Sequence, residues 1–249
     1  MQNIINILDK FDTITLKEMD SVSLLDRVDT KFVFRIELLP DILEKIAGEY
    51  YVLDIEDLRM SRYETIYFDS DNMDFYKHHH NGKLNRYKLR ERCYMDSSLS
   101  FFEIKYKNNK SRTIKKRIKI SHISEKIEDK AKDFIAQKTR LNPDSFFAKL
   151  TVKYSRITLV CKSSRERVTL DIELSYKSNG IETAYPSIVI AEVKQAKNQY
   201  SHFIKLMKQN HIRSENLSKY CLGIISTNNN IKINNFKEKI LFIKKLCND

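Results

Sequence analysis

The stretch Leu84-Asn85-Arg86-Tyr87-Lys88-Leu89-Arg90-Glu91-Arg92-Cys93-Tyr94-Met95 alternates between basic and mostly apolar residues. Successive side chains of a strand point to opposite faces, so Arg86, Lys88, Arg90 and Arg92 share one face while Tyr87, Leu89 and Cys93 share the other. The same phase recurs outward from it. Glu103, Lys105 and Lys107 oppose Phe102, Ile104 and Tyr106, and Lys115 and Arg117 share a face that leaves Lys116 outside. Arg167, Thr169, Asp171 and Glu173 oppose Val168, Leu170, Ile172 and Leu174. Glu192 and Lys194 continue a face begun by Ile188 and Ile190, Arg27, Asp29 and Lys31 alternate with Val28 and Thr30, and Tyr154, Arg156 and Thr158 fall in phase.

The pattern predicts strands over 27–36, 50–55, 62–69, 74–79, 84–95, 101–107, 112–120, 150–161, 166–175 and 187–194, with Asn81-Gly82 as a hairpin turn. Helical spacing marks 40–48, opened by Pro40, and 124–139, 197–210 and 232–247. Many strands with helices between and after them indicate an α+β fold on a large antiparallel sheet. The chain has 249 residues, without an internal repeat or a Pro/Gly/Ser-rich linker, and reads as a single domain over 1–249 with a helical segment from about 197 packed on it.

Forty-five Lys and Arg against 33 Asp and Glu leave a net charge of +12, which favours an anionic partner. Only 4 Gly and 3 Pro occur, excluding collagen-like and low-complexity chains. Residues 1–8 lack the apolar core of a signal peptide, and no run approaches the ~20 apolar residues of a membrane helix. Cys93, Cys161, Cys221 and Cys247 lie far apart, which fits free buried thiols in a cytoplasmic protein.

Two readings of the basic faces stand on the residues alone. One is the solvent face of a half-exposed sheet. The other is a polar lumen formed as the sheet curls into a barrel. The recurrence of arginine and the carboxylates in phase with it favour the second. Clustered cations call for a polyanion, and arginine's donor fork matches phosphate oxygens. Carboxylates among them suit a divalent cation, Mn²⁺ or Mg²⁺, shared with phosphates.

Several short motifs, in order along the chain, resemble the VTC domain. They are Arg27-Val-Asp-Thr-Lys31-Phe, Tyr67-Phe-Asp69, the run from His79 to Arg92, Phe102-Glu103-Ile-Lys105, Tyr154-Ser-Arg156, Arg167-Val-Thr-Leu-Asp171, Ala191-Glu192-Val-Lys194 and Leu217-Ser218-Lys219-Tyr220. The VTC domain is the polyphosphate polymerase domain of the vacuolar transporter chaperone, within the CYTH/triphosphate tunnel superfamily, and the chain is similar to a stand-alone bacterial member. The resemblance implies an antiparallel β-tunnel of about eight strands that passes the γ-phosphoryl of ATP to inorganic polyphosphate with a divalent metal. It maps phosphate-binding bases onto Lys31, Arg90, Arg92, Lys105, Lys115, Arg156, Arg167 and Lys219, with Ser218 beside the last, and a metal ligand onto Glu192. Phase adds Lys88 and Lys194 to the substrate-binding set and Glu103 and Glu173 to the metal set. Within the set, Lys31, Arg90, Arg92, Arg156 and Arg167 are the candidate catalytic residues.

Two departures are visible. The superfamily's first-strand E-x-E-x-K reads Arg27-x-Asp29-x-Lys31, which points away from a two-carboxylate triphosphatase site, and Asn216 stands where eukaryotic polymerases carry a lysine. Regulation or translocation would fall to other chains, such as a separate membrane protein. A tri- or polyphosphate hydrolase of the same fold stays open, as does a non-catalytic polyphosphate- or RNA-binding module. No specific nucleic acid is expected, since no RNP-like aromatic pattern occurs. His78, His79 and His80 read as a strand end beside the turn in preference to a metal site.

Overall fold

The computed structural model describes residues 1–21, 28–110, 112–197 and 199–248. The N-terminal third runs α1 (Gln2–Leu8), β1 (Thr13–Ile14), α2 (Leu16–Ser21), β2 (Val28–Arg35), α3 (Leu39–Ile46), β3 (Tyr50–Leu53), β4 (Ser61–Asp69) and α4 (Asp74–His80). Then come β5 (Arg86–Tyr94), β6 (Leu99–Lys107), β7 (Thr113–Ile120), α5 (Asp129–Lys138), β8 (Phe147–Cys161) and β9 (Arg167–Ser178). The chain continues through β10 (Ile181–Tyr185), β11 (Ile188–Gln195), α6 (His202–Gln209), α7 (Lys219–Thr227) and α8 (Lys237–Asn248). No helix among the described residues is long and apolar enough to cross a membrane.

Eight strands form one hydrogen-bonded path in the order β2-β11-β9-β8-β4-β5-β6-β7, every neighbouring pair antiparallel. The α+β reading and the eight-strand expectation agree with this path. No ladder joins β7 back to β2 among the described residues, so the sheet curls without closing. Its curvature shows in the charges. Lys31 on β2 and Lys88 on β5 lie five ladder steps apart, about 24 Å in a flat sheet. Lys31 is nonetheless among the charges that depress the pKa of Lys88.

Three large apolar clusters hold the sheet, and a small fourth one joins Ile14 of β1, Met19 of α2 and Leu53 of β3 to Val160 of β8. On the outer face of β2, β8, β9 and β11, Phe34, Leu170, Ile157 and Val193 pack under α1, α3 and α6. On the outer face of β4–β7, Phe68, Leu89, Phe102 and Ile104 pack under α5. The third cluster lies on the inner face at one end, where Leu150, Val152, Tyr176 and Ile190 surround Tyr220, Leu222 and Ile224 of α7. Gly223 makes that insertion fit. A Cβ there would stand 2.4 Å from Tyr176 Cδ1 and 2.6 Å from Leu150 Cδ2.

Residues 74–79 are helical, not a strand. The buried carboxylate of Asp69 accepts the backbone N–H groups of Phe75 and Tyr76, each at 2.9 Å, and so satisfies the first turn of α4. The Asn81-Gly82 turn therefore ends a helix and does not join two strands. Gly82 takes φ +68°, its N–H reaches His79 O at 3.1 Å and Lys83 N–H reaches His78 O at 2.9 Å, which is a Schellman cap. The expected strand 27–36 is seen from Val28, since Arg27 lies outside the described residues. All four cysteines are free, with Cys161 and Cys221 buried and Cys93 and Cys247 half-buried.

Candidate functional site

Three carboxylates on the inner face are each held by two bases. Glu103 on β6 takes Arg90 Nη2 from β5 at 2.5 Å and Lys115 Nζ from β7 at 2.5 Å. Asp171 on β9 accepts Arg156 in a two-point contact, Nε at 2.6 Å and Nη2 at 2.9 Å, and also pairs with Lys219. Glu192 on β11 pairs with Lys31 of β2 at 3.4 Å and with Lys194 of its own strand. Burial works against charge on all three, yet the paired bases outweigh it and hold each carboxyl below the ordinary range.

Three further bases meet no carboxylate among the described residues. Lys88 donates to Ser218 Oγ at 2.9 Å, and Arg92 reaches only Thr65 Oγ1 at 3.4 Å and the Tyr63 ring. Lys105 stands directly between Lys88 and Lys115 across the β5–β6–β7 ladders. Arg90 beside it, followed by burial, pushes its pKa well below that of an ordinary lysine. Tyr67 registers the same field. Burial would raise its phenol, but Arg90, Arg92 and Lys88 override burial and lower it.

Helix α7 completes the cluster. Its N-cap Ser218 accepts the backbone N–H of Cys221 and also receives Lys88, so one hydroxyl both caps the helix and orders a base. Lys219 follows on Asp171, and Tyr220 donates to the buried Asp69 at 2.5 Å. The segment leading into α7 runs along the β2 edge, with Glu215 N–H on Lys31 O at 2.8 Å and a bridge from Ser214 to Phe32.

The structure thus gathers Lys31, Lys88, Arg90, Arg92, Lys105, Lys115, Arg156, Lys194, Ser218, Lys219, Glu103 and Glu192. Arg167 shares the inner face four residues beyond Asp171, where it reaches Met19 Sδ of α2 at 3.6 Å. Glu173 leaves the set. A β-bulge interrupts the β8–β9 register, Glu173 adopts φ +53°, and its exposed side chain receives Ser155 Oγ at 2.6 Å from the outer face. Asp171 is the residue that phase alone placed on the basic face without a role, and it proves to be a central clamp. The histidine triplet lies on α4, where His79 contacts Cys221 Sγ at 3.1 Å and His80 accepts from Asn235 N–H at 3.1 Å. No group of three metal-ligating side chains occurs among the described residues.

The donor set fits a cation shared with substrate phosphates, not an all-protein cage. Of the three carboxylates clamped by two bases, Glu192 is the most accessible, its side chain 22 % exposed against 1 % for Glu103 and 2 % for Asp171.

The solved structures similar to this chain include a proposed adenylate cyclase from Bacillus halodurans, at 14 % identity and TM-score 0.49, covering 85 % of this chain and 97 % of that one. Another, from Vibrio parahaemolyticus and also described as a proposed adenylate cyclase, shares 13 % identity at TM-score 0.46 over 79 % and 97 %. A third, from Hippeastrum, is a proposed adenylyl cyclase described with a dominant triphosphatase activity, at 11 % identity and TM-score 0.45 over 78 % and 94 %. No curated protein matches the sequence. The family model of the VTC domain matches residues 26–228, which spans every side chain of the cluster, and the chain belongs to the VTC domain family.

Proposed function

We propose that the protein is a metal-dependent polyphosphate polymerase that transfers the γ-phosphoryl of ATP to a polyphosphate chain held on the inner face of the sheet. The observation that carries this reading is the row Lys88–Lys105–Lys115 beside Arg92, in which three of the four bases have no carboxylate partner among the described residues. Lysines in direct cross-strand register repel one another, and a bound polyanion turns that repulsion into attraction.

In this reading Arg90, Arg92 and Arg156 grip the phosphate oxygens at the point of transfer, with Lys31 and Arg167 on the same face. Lys88, Lys105, Lys115, Lys194, Ser218 and Lys219 hold the flanking phosphates. Transfer between phosphates asks for two anions held in line and for neutralised charge at the transition state, and for little covalent chemistry. A divalent ion, Mn²⁺ or Mg²⁺, held by Glu192 and phosphate oxygens would supply part of that neutralisation. Glu103 and Asp171, each locked between two bases, hold the guanidinium groups at fixed angles.

Geometry lends support to transfer over hydrolysis. Hydrolysis needs a positioned water, and Glu103 and Asp171, the two most deeply buried carboxylates of the cluster, are each already paired with two bases. We place the reaction in the cytoplasm, within a single unit spanning the chain.

The test is to incubate the purified protein with ATP and Mn²⁺ or Mg²⁺ and follow polyphosphate length and free phosphate together. Chain growth that disappears in Arg90→Ala and Glu192→Gln is the expected result. Phosphate release from tripolyphosphate without growth would make the protein a hydrolase, and binding without either would leave a non-catalytic module.

A further inference from the structure

Next to the bases, where β5 ends and β6 begins, the inner face turns aromatic. Tyr94 and Phe101 meet edge to face, ring centres 5.9 Å apart at 81°. The Arg117 guanidinium lies over Phe101 at 4.7 Å. Behind them Tyr63 packs on Tyr94 at 4.9 Å and stacks on Tyr154 at 5.1 Å and 5°. Tyr63 and Tyr154 are buried, whereas Tyr94 and Phe101 are half-buried and Arg117 is exposed.

Tyr63 and Tyr154 belong to the same apolar cluster as the residues of α7, and Tyr94 packs against it. At its margin Tyr94 and Phe101 remain partly open, and Phe101 carries a guanidinium that pairs with no carboxylate among the described residues. A guanidinium stacked on a ring is readily replaced by another flat π-system, or joined by it in a sandwich.

We propose that Phe101 and Tyr94, with Arg117, form a stacking ledge for the nucleobase of the phosphoryl donor. The proposal rests on the reading that a nucleoside triphosphate supplies the phosphate. Its geometry follows from the ladder. Phe101 pairs directly with Arg92 and lies two residues, about 7 Å, from Glu103 and the Arg90 it holds. A triphosphate seated with its γ-phosphate at Arg90 and its α-phosphate past Arg92 places its nucleoside at Phe101 and leaves Lys88 and Lys105 to the acceptor chain. Stacking tolerates any base, because each presents a π-face. The ledge would then accept adenine and guanine alike.

The experiment compares ATP, GTP and inorganic tripolyphosphate binding by calorimetry in wild type, Phe101→Leu and Arg117→Gln. In wild type, ATP and GTP should bind within a few-fold of each other. Phe101→Leu should weaken ATP about tenfold, the scale of a single base-stacking contact, and leave tripolyphosphate unchanged. Arg117→Gln, an exposed position that does not threaten folding, should show the same selective loss to a smaller degree. Retained tripolyphosphate affinity also shows that a variant is folded. An equal loss for both ligands, or unchanged ATP affinity in both variants, overturns the ledge while leaving the polymerase reading intact. Wild-type protein that binds tripolyphosphate but not ATP overturns the nucleotide-donor reading itself, and does so before any substitution is made.

Discussion

Lys88 on β5 and Lys105 on β6 stand directly opposite one another across a hydrogen-bonded ladder, and neither meets a carboxylate among the described residues. Like charges in that position destabilise a sheet. Their placement fits a protein whose stability and ligand affinity are set by the same side chains, and the first two predictions follow from that coupling.

Tripolyphosphate at a hundred times its Kd should stabilise the fold by about 2.7 kcal/mol and raise Tm by several degrees. At a pH below its lowered pKa, where Lys105 is charged, Lys105→Met should raise the Tm of the ligand-free protein and remove most of the shift on adding tripolyphosphate. A ligand-free Lys105→Met protein that melts below wild type would show that repulsion at this position is not the dominant cost.

Polyphosphate binding should draw in a proton. Arg90 and burial depress Lys105, so at a pH above that lowered value the free protein carries it neutral. A bound polyanion favours the ammonium and raises the pKa, so affinity falls as pH rises through the free-state value. Calorimetry in buffers of different ionisation enthalpy reads the uptake directly, and Lys105→Arg, charged throughout, should abolish it. Uptake that persists in Lys105→Arg would assign the proton elsewhere.

Asp171→Asn leaves Arg156 and Lys219 without their shared counter-charge in a buried setting. The loss should be on the order of 3 kcal/mol in the absence of ligand, because the partners remain charged and desolvated. Tripolyphosphate should recover a larger share of stability in Asp171→Asn than it adds to wild type. Melting curves with and without the ligand decide it, and equal increments in the two proteins would count against the clamp.

Gly223→Ala should displace α7, since the new methyl collides with Tyr176 and Leu150 inside the sheet. Overpacking of this kind costs about 1–3 kcal/mol. Because α7 presents Ser218 and Lys219, polyphosphate affinity should fall along with Tm, although residue 223 touches neither base. Lost stability with unchanged affinity would separate the helix from the site.

Glu91 gives a pH dependence unrelated to phosphate. It faces the outer core, accepts Ser124 N–H at 2.7 Å, and burial pushes its pKa up to about 7. A carboxylate raised in the fold contributes full stability below its unfolded value, near 4.5, and loses that contribution as pH rises through 7. The loss amounts to roughly 3 kcal/mol at most. Glu91→Gln should therefore outlast wild type at pH 8 and match it near pH 4, as measured by denaturant titration at the two pH values.

The strands were readable because the pleat alternates strictly, so the bases of 84–95 could be assigned to one face without knowing any partner. The same rule failed at Glu173, where one extra residue reverses the phase and no local residue type announces the bulge. Residues 74–79 mixed both periods, and the choice fell to Asp69, a capping carboxylate on the preceding strand. Helix α7 escaped notice because it is apolar on nearly every side, as a helix inserted within a sheet must be. Asp171 was placed on the correct face by phase, but its importance depends on Arg156 and Lys219, which lie 15 and 48 residues away.

By itself the amino-acid sequence determined the antiparallel strands, the face on which the bases lie and the family to which they belong, because alternation and short motifs are local properties of the chain. Only the tertiary structure decided which base meets which carboxylate. That depends on the register between strands far apart in sequence and on the helix laid against the inner face. It left Lys88, Arg92 and Lys105 facing inward with no acidic partner among the described residues.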